Sequence, residues 1–430
     1  MMNRIGPIAL VLVFVCGCDT HFPALVDGDA GTDTDTDADT DVDTDTDADT
    51  DTDTDSDTDT DVDTDADTDS DTGTGSGSDT GSDTDTSDWW DTEWSSRRPL
   101  TFDNSGQDED LENFPALVAL DTAAVDYSSF AAGGIDLRFV DANGSTQLAH
   151  HIEEWDTDGE SIVWVRVPMI NGSSVTDQIW MYYGNALAAD AQDEPGTYDT
   201  DYAGVWHLSE TSSTNDDSTI AGNHCAWDGS GSGTQDAVGY LDGADELDGD
   251  ADYLDCGIGV VPDSEYHTIS VWLNPDLSSG DANFIVVSVE NLGDPFNGIG
   301  IYVERSTGAV GGHVDGWIYY ATVNLVADGE WNFVSYRERM HASTGWIEVS
   351  VNGAPWESVF YGDTSSYILD PPTPLFIGTW PGGGPGGYYT HGLVDEVRVS
   401  NVARSADWNR AQYLSMTRAF YELGAEESAP

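Results

Sequence analysis

The residues best placed to contact a ligand lie in one loop rich in glycine and proline. The segment from Thr379 to His391 reads Thr-Trp-Pro-Gly-Gly-Gly-Pro-Gly-Gly-Tyr-Tyr-Thr-His. Glycine and proline disfavour regular strand pairing here, so Trp380, Tyr388 and Tyr389 are predicted to lie near the surface as ligand-binding residues. Aromatic faces stack on sugar rings, and rigid rings lose little entropy on binding. The alternative is ordinary packing of these rings beneath a loop.

A second group of chemically capable residues is His150-His151-Ile152-Glu153-Glu154. Neighbouring strand residues point to opposite faces, so His151 and Glu153 could share a face while the two histidines cannot ligate from one side. The pattern is more typical of a solvated strand face. We expect a structural arginine–carboxylate pair there, with Arg138 or Arg166 as the cation.

Cys225 and Cys256 are the two cysteines that follow the first 18 residues. In an oxidising compartment two such residues usually pair, so a disulfide is predicted. Two free buried thiols are the alternative. A zinc site is disfavoured because no Cys-x-x-Cys spacing is present.

These residues lie in a part of the chain whose hydrophobic pattern has a period of two. Val163, Val165 and Val167 alternate with Trp164 and Arg166, and similar short runs recur up to residue 399. Turn signals such as Asn-Gly separate them. The pattern predicts an all-β protein with two antiparallel β-sandwich bodies, at residues 89–190 and 199–427. One helix is predicted, from Ser405 to Met416.

The N-terminal part has a different composition. From Asp33 to Asp71 every odd-numbered residue is aspartate. A segment with so few apolar side chains cannot form a core, so residues 19–88 are predicted to be a disordered acidic linker. Residues 1–18 have Arg4 followed by a short apolar run, which is typical of an export signal and too short to span a membrane.

Charge limits the partners. The chain has 12 Lys+Arg against 82 Asp+Glu, a formal net charge of −70. Nucleic acid and anionic membrane surfaces would be repelled by such a chain. Contact with a membrane is therefore expected only through a lipid anchor, and no oligomeric state is predicted.

Six motifs in the first body resemble those of the domain of unknown function 2341. They appear in family order, over about 95 residues: Trp94-Ser-Ser-Arg-Arg98, Asn113-Phe-Pro-Ala-Leu-Val118, Ile135-Asp-Leu-Arg-Phe139, His151-Ile-Glu-Glu-Trp155, Val163-Trp-Val-Arg-Val-Pro168 and Met181-Tyr-Tyr-Gly-Asn185. The family has no established activity and occurs on exported bacterial proteins. The resemblance therefore implies a domain but no reaction.

The second body resembles a laminin-G-like jelly roll of the concanavalin A-like superfamily. The residues that carry this resemblance include Val205-Trp-His-Leu208, Leu247-Asp-Gly249, Thr268-Ile-Ser-Val-Trp272, Val351-Asn-Gly353 and Val394-Asp-Glu-Val-Arg398. This fold supports lectins, adhesion modules and glycosidases alike.

Relatives of this fold often hold a calcium ion where early and late strands meet. The matching positions are Asp217, Asn223 and Asp395, so the resemblance implies a possible structural Ca²⁺ there. Retaining glycosidases of the fold carry a Glu-x-Asp-x-x-Glu run that places two carboxylates about 5 Å apart. That run is missing from the sequence, so no catalytic residue is predicted.

The export signal ends in Val15-Cys16-Gly17-Cys18, which resembles a bacterial lipobox. The resemblance implies cleavage before Cys18 and attachment of lipid to its thiol, which would anchor the protein to the cell envelope, in the outer membrane or at the cell surface. The alternative is an ordinary secretory signal that is cut nearby. We therefore expect a non-catalytic binding or adhesion lipoprotein on the cell surface, with glycan or another surface polymer as ligand. The alternatives are an enzyme acting on polysaccharide and a structural coat protein, and a coat protein needs no exposed loop aromatics.

Overall fold

Alternating side chains along the strands determine which faces become buried. The computed structural model describes residues 89–430 except 212, 263, 279–282, 291–297, 315–316, 366–372 and 381–387. The signal and linker predicted at residues 1–88 lie outside the described residues. Within the described part, β-strands dominate and pair antiparallel throughout, which confirms the predicted fold class.

Seven strands form in the first body: β1 Ser96–Phe102, β2 Leu111–Asp121, β3 Arg138–Asp141, β4 Gln147–Leu148, β5 His150–Glu154, β6 Glu160–Ile170 and β7 Gln178–Tyr183. Short 3₁₀ turns occur at Tyr127–Ser129 and Ala132–Gly134. A four-residue helix, α1, follows at Glu194–Thr197.

Sixteen strands follow in the second body: β8 Tyr202–Trp206, β9 Thr214–Asn215, β10 Cys225–Gly229, β11 Thr234–Val238, β12 Gly243–Asp248, β13 Asp252–Ile258, β14 Tyr266–Pro275, β15 Asn283–Glu290, β16 Gly298–Glu304, β17 Ala309–Val314, β18 Trp317–Leu325, β19 Asn332–Arg339, β20 Gly345–Val351, β21 Glu357–Gly362, β22 Pro374–Ile377 and β23 His391–Ser400. The chain then forms helix α2, Ala406–Met416, and strands β24 Tyr421–Leu423 and β25 Glu427–Ser428.

The first body is a sandwich of two sheets. One sheet has the order β24-β1-β7-β3-β4, with β25 also beside β1, and the other has the order β2-β6-β5. Leu100, Phe139 and Val165 are among the side chains buried between them. The last two strands of the chain thus belong, by hydrogen bonding, to the sheet of the first body.

The second body is a larger sandwich. Its sheets have the orders β18-β17-β16-β15-β22-β13-β10-β9 and β11-β12-β23-β14-β19-β20-β21, with β8 beside β23. One continuous apolar core fills the space between them. Asn352 and Gly353 both have positive φ, near 55° and 65°, as the predicted Asn-Gly turn after β20 requires.

The two bodies share an apolar interface. Leu117 and Trp164, on the outer face of the β2-β6-β5 sheet, pack with Trp272 and Phe333 of the second body and with Met416 of α2. This contact explains why β6 is buried on both faces, with Val165 turned inward and Trp164 outward. The interface therefore fixes how β5, at the edge of the same sheet, faces the second body.

Helix α2 begins where the sequence predicts. The Ser405 side chain accepts a hydrogen bond from the backbone N–H of Trp408, the usual arrangement of a serine N-cap. Among the described residues, no helix has the length and apolarity needed to cross a lipid bilayer.

Candidate functional site

The predicted aromatic loop brings two of its three aromatic residues together. Trp380 follows β22 and Tyr388 precedes β23, and their rings stack with centroids 5.7 Å apart and an angle of 23° between planes. Tyr389 instead lies beside Tyr253, with centroids 6.5 Å apart. All three predicted residues are partly exposed. We call Trp380 and Tyr388 the aromatic platform; the glycines and prolines between them, at 381–387, lie outside the described residues.

Two aromatic residues of β18, in the sheet that also contains β22, differ in their exposure. Trp317 is 60% exposed. Tyr320 has its hydroxyl buried, and burial together with the nearby Glu304 and Tyr388 raises the pKa of Tyr320. The Tyr320 hydroxyl is therefore buried, whereas Trp317 is an exposed ring of the sheet that also contains β22.

A second site lies where the two bodies meet. A cavity of about 490 Å³ is lined by His151 and Glu153 of β5 and by His207, Glu210 and Asp216 of the second body. Helix α1 adds Glu194 to its wall. We call this space the junction cavity. Its lining is acidic and polar, so it suits a cation or a polar molecule rather than an apolar one.

Three titratable side chains form a cluster at the junction cavity. Nδ1 of His207 lies 3.1 Å from Oε2 of Glu153 and 2.5 Å from Oε1 of Glu396. Each residue has one atom that could bind a metal ion, and these three atoms all lie within 4.8 Å of one another. We call these three residues the junction cluster. His207 and Glu396 are 189 positions apart in the chain, and Glu153 lies further still from Glu396.

Neighbouring side chains orient the junction cluster. Trp164 donates a hydrogen bond through Nε1 to Oε2 of Glu153, at 2.5 Å. Arg398 donates to Oε2 of Glu396, at 2.6 Å. The guanidinium of Arg398 also lies 4.1 Å from the ring centroid of Trp164, so a cation–π contact joins the residue that binds Glu396 to the residue that binds Glu153. Each carboxylate of the junction cluster is therefore oriented by a neighbouring side chain.

Burial and charge shift the pKa values of the cluster in definite directions. Burial alone would lower the pKa of His207, but the carboxylates of Glu153 and Glu396 outweigh it and raise this pKa to about 9. Burial raises the pKa of Glu153 to about 8, against the effect of His207. Burial also opposes ionisation of Glu396, yet His207 and Arg398 hold its pKa below the usual value. His207 and Glu396 thus form the ion pair at neutral pH.

His151 lies beside the junction cluster. Its ring centroid is 5.2 Å from that of His207, and burial lowers its pKa well below the usual value. Since this imidazole is neutral, a ring nitrogen remains free to accept a hydrogen bond or bind a metal ion.

Two family models match the chain. One is a domain of unknown function, DUF2341, which matches residues 133–229. The other describes the concanavalin A-like lectin/glucanases superfamily and matches residues 248–408. Along the chain, the residues that match the DUF2341 model precede those that match the concanavalin A-like model. Both resemblances predicted from sequence motifs, and their order, are confirmed.

Several solved structures are similar to parts of the chain. Domain 4 of AbnA, a GH43 extracellular arabinanase from Geobacillus stearothermophilus in complex with arabinotriose, is 17% identical, with a TM-score of 0.37 over 49% of this chain and 96% of that one. A heptameric SAP-like pentraxin from Limulus polyphemus is 14% identical, with a TM-score of 0.33 over 45% and 96%. The CBM40 of the Ruminococcus gnavus IT-sialidase, bound to alpha2,3 sialyllactose, is 16% identical, with a TM-score of 0.28 over 35% and 83%.

At these TM-scores the three likenesses support no inference about this chain. A comparison with curated proteins found no match.

The family matches locate the junction cluster. His151, Glu153 and His207 lie inside the DUF2341 match, and Glu396 lies inside the concanavalin A-like match. The DUF2341 match runs past the first sandwich into β10, so it includes residues on both sides of the junction cavity.

The expected solvated face at His151 and Glu153 is wrong. His151 is 4% exposed and the side chain of Glu153 is 2% exposed, because the second body covers this face through residues such as His207. Arg138 and Arg166 do not provide the expected cation among the described residues. Arg138 donates to backbone carbonyls, including that of Leu137, and Arg166 donates to Asn113 and a carbonyl.

A local irregularity marks Glu153. The pairing of β5 with β6 shifts register between Ile152 and Glu154, so Glu153 occupies a β-bulge. Bulges commonly redirect a side chain near a functional site. The sequence indicated that His151 and Glu153 could share one face of the strand. It did not indicate that the second body would cover that face.

The positions predicted for calcium are engaged with the protein. Each carboxylate oxygen of Asp217 accepts two hydrogen bonds, from the backbone N–H groups of Val205, Thr219 and Asn223 and the Thr219 hydroxyl. This saturated carboxylate does not fit a calcium ligand. Asn223 donates its side-chain amide to the carbonyl of Ala203.

The third calcium position differs. Asp395 is buried, and one of its oxygens accepts from the backbone N–H groups of Tyr240 and Leu241, whereas the other has no hydrogen-bond partner among the described residues. Asp217 and Asp395 do not join the junction cluster. A structural calcium ion stays a prediction.

The predicted disulfide is present. Cys225 on β10 and Cys256 on β13 are bonded, and the strands pair antiparallel with Ala226 opposite Asp255, so the two cysteines are cross-strand neighbours. The bond closes a sequence separation of 31 residues.

Proposed function

We propose that this protein binds glycans at the cell surface without catalysing a reaction, and that Trp380 and Tyr388 contact the sugar. The observation that carries the proposal is the stacked, partly exposed pair of rings at the end of β22. Two aromatic rings held against each other lose little conformational freedom when a sugar stacks on them. The Nε1 atom of Trp380 is buried, which leaves the ring surface as its contact area.

The match to the concanavalin A-like lectin/glucanases superfamily supports glycan binding in general, since lectins and glucanases both act on carbohydrates. Surface location rests on the lipobox-like sequence that ends at Cys18. A lipid on Cys18 and the acidic linker would hold the platform away from the membrane, where a glycan of a neighbouring surface is within reach.

A glycan array, followed by calorimetric titration of the strongest ligands, tests the proposal. The full chain with Cys18→Ala is used, so that lipid does not interfere. We expect saturable binding of one class of glycan, with affinity that depends on the platform. Absence of binding to any glycan, or binding unaffected by loss of Trp380, would reject it.

One observation favours an enzyme that acts on polysaccharide. Glu153 and Glu396 both approach Nδ1 of His207, so their carboxylates are close together, and retaining glycosidases use two carboxylates about 5 Å apart. However, Glu396 is fully buried and bound to Arg398, so it has no access to a sugar. Release of reducing ends from polysaccharide by the wild type, and none by Glu153→Gln, would support the enzyme.

A further inference from the structure

The junction cavity contains polar atoms that have no partner within the protein. Both ring nitrogens of His151 and Oε1 of Glu153 are buried without a hydrogen bond among the described residues. His151 is 4% exposed and lines the cavity. Each buried unpaired polar group costs about 1–3 kcal/mol. Three such atoms beside one cavity indicate a ligand that engages them.

The geometry of the junction cluster is compatible with one ion. Its imidazole nitrogen lies 2.5 and 3.1 Å from the two carboxylate oxygens. Around a tetrahedral ion with bonds of about 2.0–2.1 Å, ligand atoms are on the order of 3.3 Å apart. Small side-chain rotations would therefore convert these contacts into coordination bonds.

We propose that Glu153, His207 and Glu396 bind a divalent transition-metal ion at the junction cavity. His151 lies outside this set of three, with its ring centroid 5.2 Å from that of His207, and would rotate to become the fourth ligand. The set combines two imidazoles with two carboxylates, the donor types that suit zinc and its neighbours in the first transition row. Calcium and magnesium prefer all-oxygen sites, so the two histidines disfavour them.

The surroundings of the cluster resemble the outer partners of a metal site. Trp164 fixes Glu153, and Arg398 fixes Glu396, each through a hydrogen bond to the carboxylate. Such partners orient ligands and sharpen affinity. The carboxylates of Glu194, Glu210 and Asp216 on the cavity wall add negative charge that balances a divalent cation.

The proposed ion would also connect the two bodies. His151 and Glu153 belong to β5 of the first sandwich, whereas His207 and Glu396 follow or lie on β8 and β23 of the second. A ligand that binds only the assembled junction stabilises it by mass action. Metal binding should therefore raise the melting temperature of the protein.

The experiment begins with the full chain, with Cys18→Ala, freed of metal by a chelator and then dialysed. Zn²⁺ is titrated by calorimetry, Co²⁺ is added in a separate sample for its visible absorption spectrum, and Ca²⁺ serves as the comparison ion. We expect one saturable Zn²⁺ site per chain, a rise in melting temperature, and Co²⁺ bands of a four- or five-coordinate site. Ca²⁺ should not displace Zn²⁺ from this site or give the Co²⁺ bands, since the two histidines disfavour calcium.

Matched variants locate the site. Glu153→Gln and His151→Gln should each weaken the Zn²⁺ affinity roughly tenfold or more, by analogy with losses around characterised metal sites. Their controls are Glu154→Gln and His150→Gln, on the same strand but outside the cavity lining. His224→Gln removes the exposed His224–Asp216 pair, which excludes adventitious surface binding.

Several outcomes would overturn the proposal. One is a wild-type protein without a saturable Zn²⁺ site. Another is an affinity that Glu153→Gln leaves unchanged, or that His224→Gln alone abolishes. Folding of each variant is checked by its far-ultraviolet circular dichroism, and the wild-type titration stays decisive if a variant does not fold.

Discussion

Nδ1 of His207 lies 3.1 Å from Oε2 of Glu153 across the junction of the two sandwiches. This contact is one polar part of an interface whose apolar part includes Trp164 and Trp272 in a single buried cluster. Because Glu396 approaches the same nitrogen, one imidazole separates two buried carboxylates. The junction therefore depends on the positive charge of His207.

Replacement of His207 should destabilise the protein strongly. In His207→Gln the buried carboxylate of Glu396 loses its imidazolium partner and keeps only Arg398, and breaking a buried pair by removal of one partner costs about 3–5 kcal/mol. Denaturant unfolding in the presence of a chelator should record a loss of that size in the free energy of unfolding.

The control for this variant is His224→Gln. His224 pairs with Asp216 at 3.1 Å, but its side chain is 51% exposed, so the change should be under about 1 kcal/mol. Equal effects of the two variants would mean that burial does not determine the importance of the His207 contact.

Asp245 should make stability depend on pH. It is buried on β12, where burial raises its pKa to about 8 against the hydrogen bond from Asn215, with Glu210 and Asp236 adding to the rise. An unfolded chain releases this proton near 3.8. The stability contributed by the protonated group is therefore complete below about pH 4 and is lost as pH rises towards about 8, at up to about 1.4 kcal/mol per pH unit.

Asp245→Asn imitates the protonated side chain. We expect it to raise the free energy of unfolding by at least about 2 kcal/mol at pH 8 and to change it little at pH 4. Asp250→Asn, at an exposed position, is the control and should stay within about 0.5 kcal/mol at both pH values. A gain from Asp245→Asn that is equal at both pH values would contradict the assigned pKa direction.

The sequence predicted the strands because their burial pattern is local. Val163, Val165 and Val167 alternate along β6, and each valine is buried in the core of the first sandwich. Helix α2 was also predictable, since Ser405 supplies a local N-cap. Such features need only a few neighbouring residues.

The junction cluster was not predictable, because its members come from β5, the end of β8 and β23. Glu153 and Glu396 are 243 positions apart in the chain, and nothing in the local pattern of either indicates a shared histidine. The pairing of β24 with β1 is equally non-local. The pairing of β24 with β1 requires helix α2 to bring the end of the chain back to the first sandwich, and no local pattern predicts that path.

Removal of the disulfide should lower stability. A bond between Cys225 and Cys256 closes a loop with a separation of 31 residues, worth roughly 3.5 kcal/mol on the chain-entropy model. The double variant Cys225→Ala/Cys256→Ala should lose about 2–4 kcal/mol in unfolding experiments. Non-reducing digestion of the exported wild type should yield the linked peptide by mass spectrometry; alkylation of both thiols without reductant would show that the bond does not form in the cell.

Cys18→Ala should release the protein from the membrane fraction. The prediction rests on Val15-Cys16-Gly17-Cys18, and a lipid chain binds a bilayer with about 0.8 kcal/mol per buried methylene group. Fractionation of cells with Cys16→Ala as the control tests it, since Cys16 would leave with the signal. A Cys18→Ala protein retained at the wild-type level would exclude lipidation at this residue.

The last prediction concerns Trp380 of the aromatic platform. If its ring stacks on a sugar, Trp380→Ala removes an interaction of about 1–1.5 kcal/mol and weakens glycan binding roughly tenfold. Trp317→Ala is the matched control and should leave the affinity unchanged, because Trp317 is an exposed tryptophan of the sheet that contains β22.

Thermal melting distinguishes a binding role from a packing role of Trp380. Truncation of a fully buried tryptophan costs about 3–5 kcal/mol, whereas truncation of a partly exposed platform residue should cost much less. A large fall in melting temperature for Trp380→Ala would therefore assign Trp380 to the core, and equal losses of affinity in the two variants would place the glycan on a wider surface than the platform.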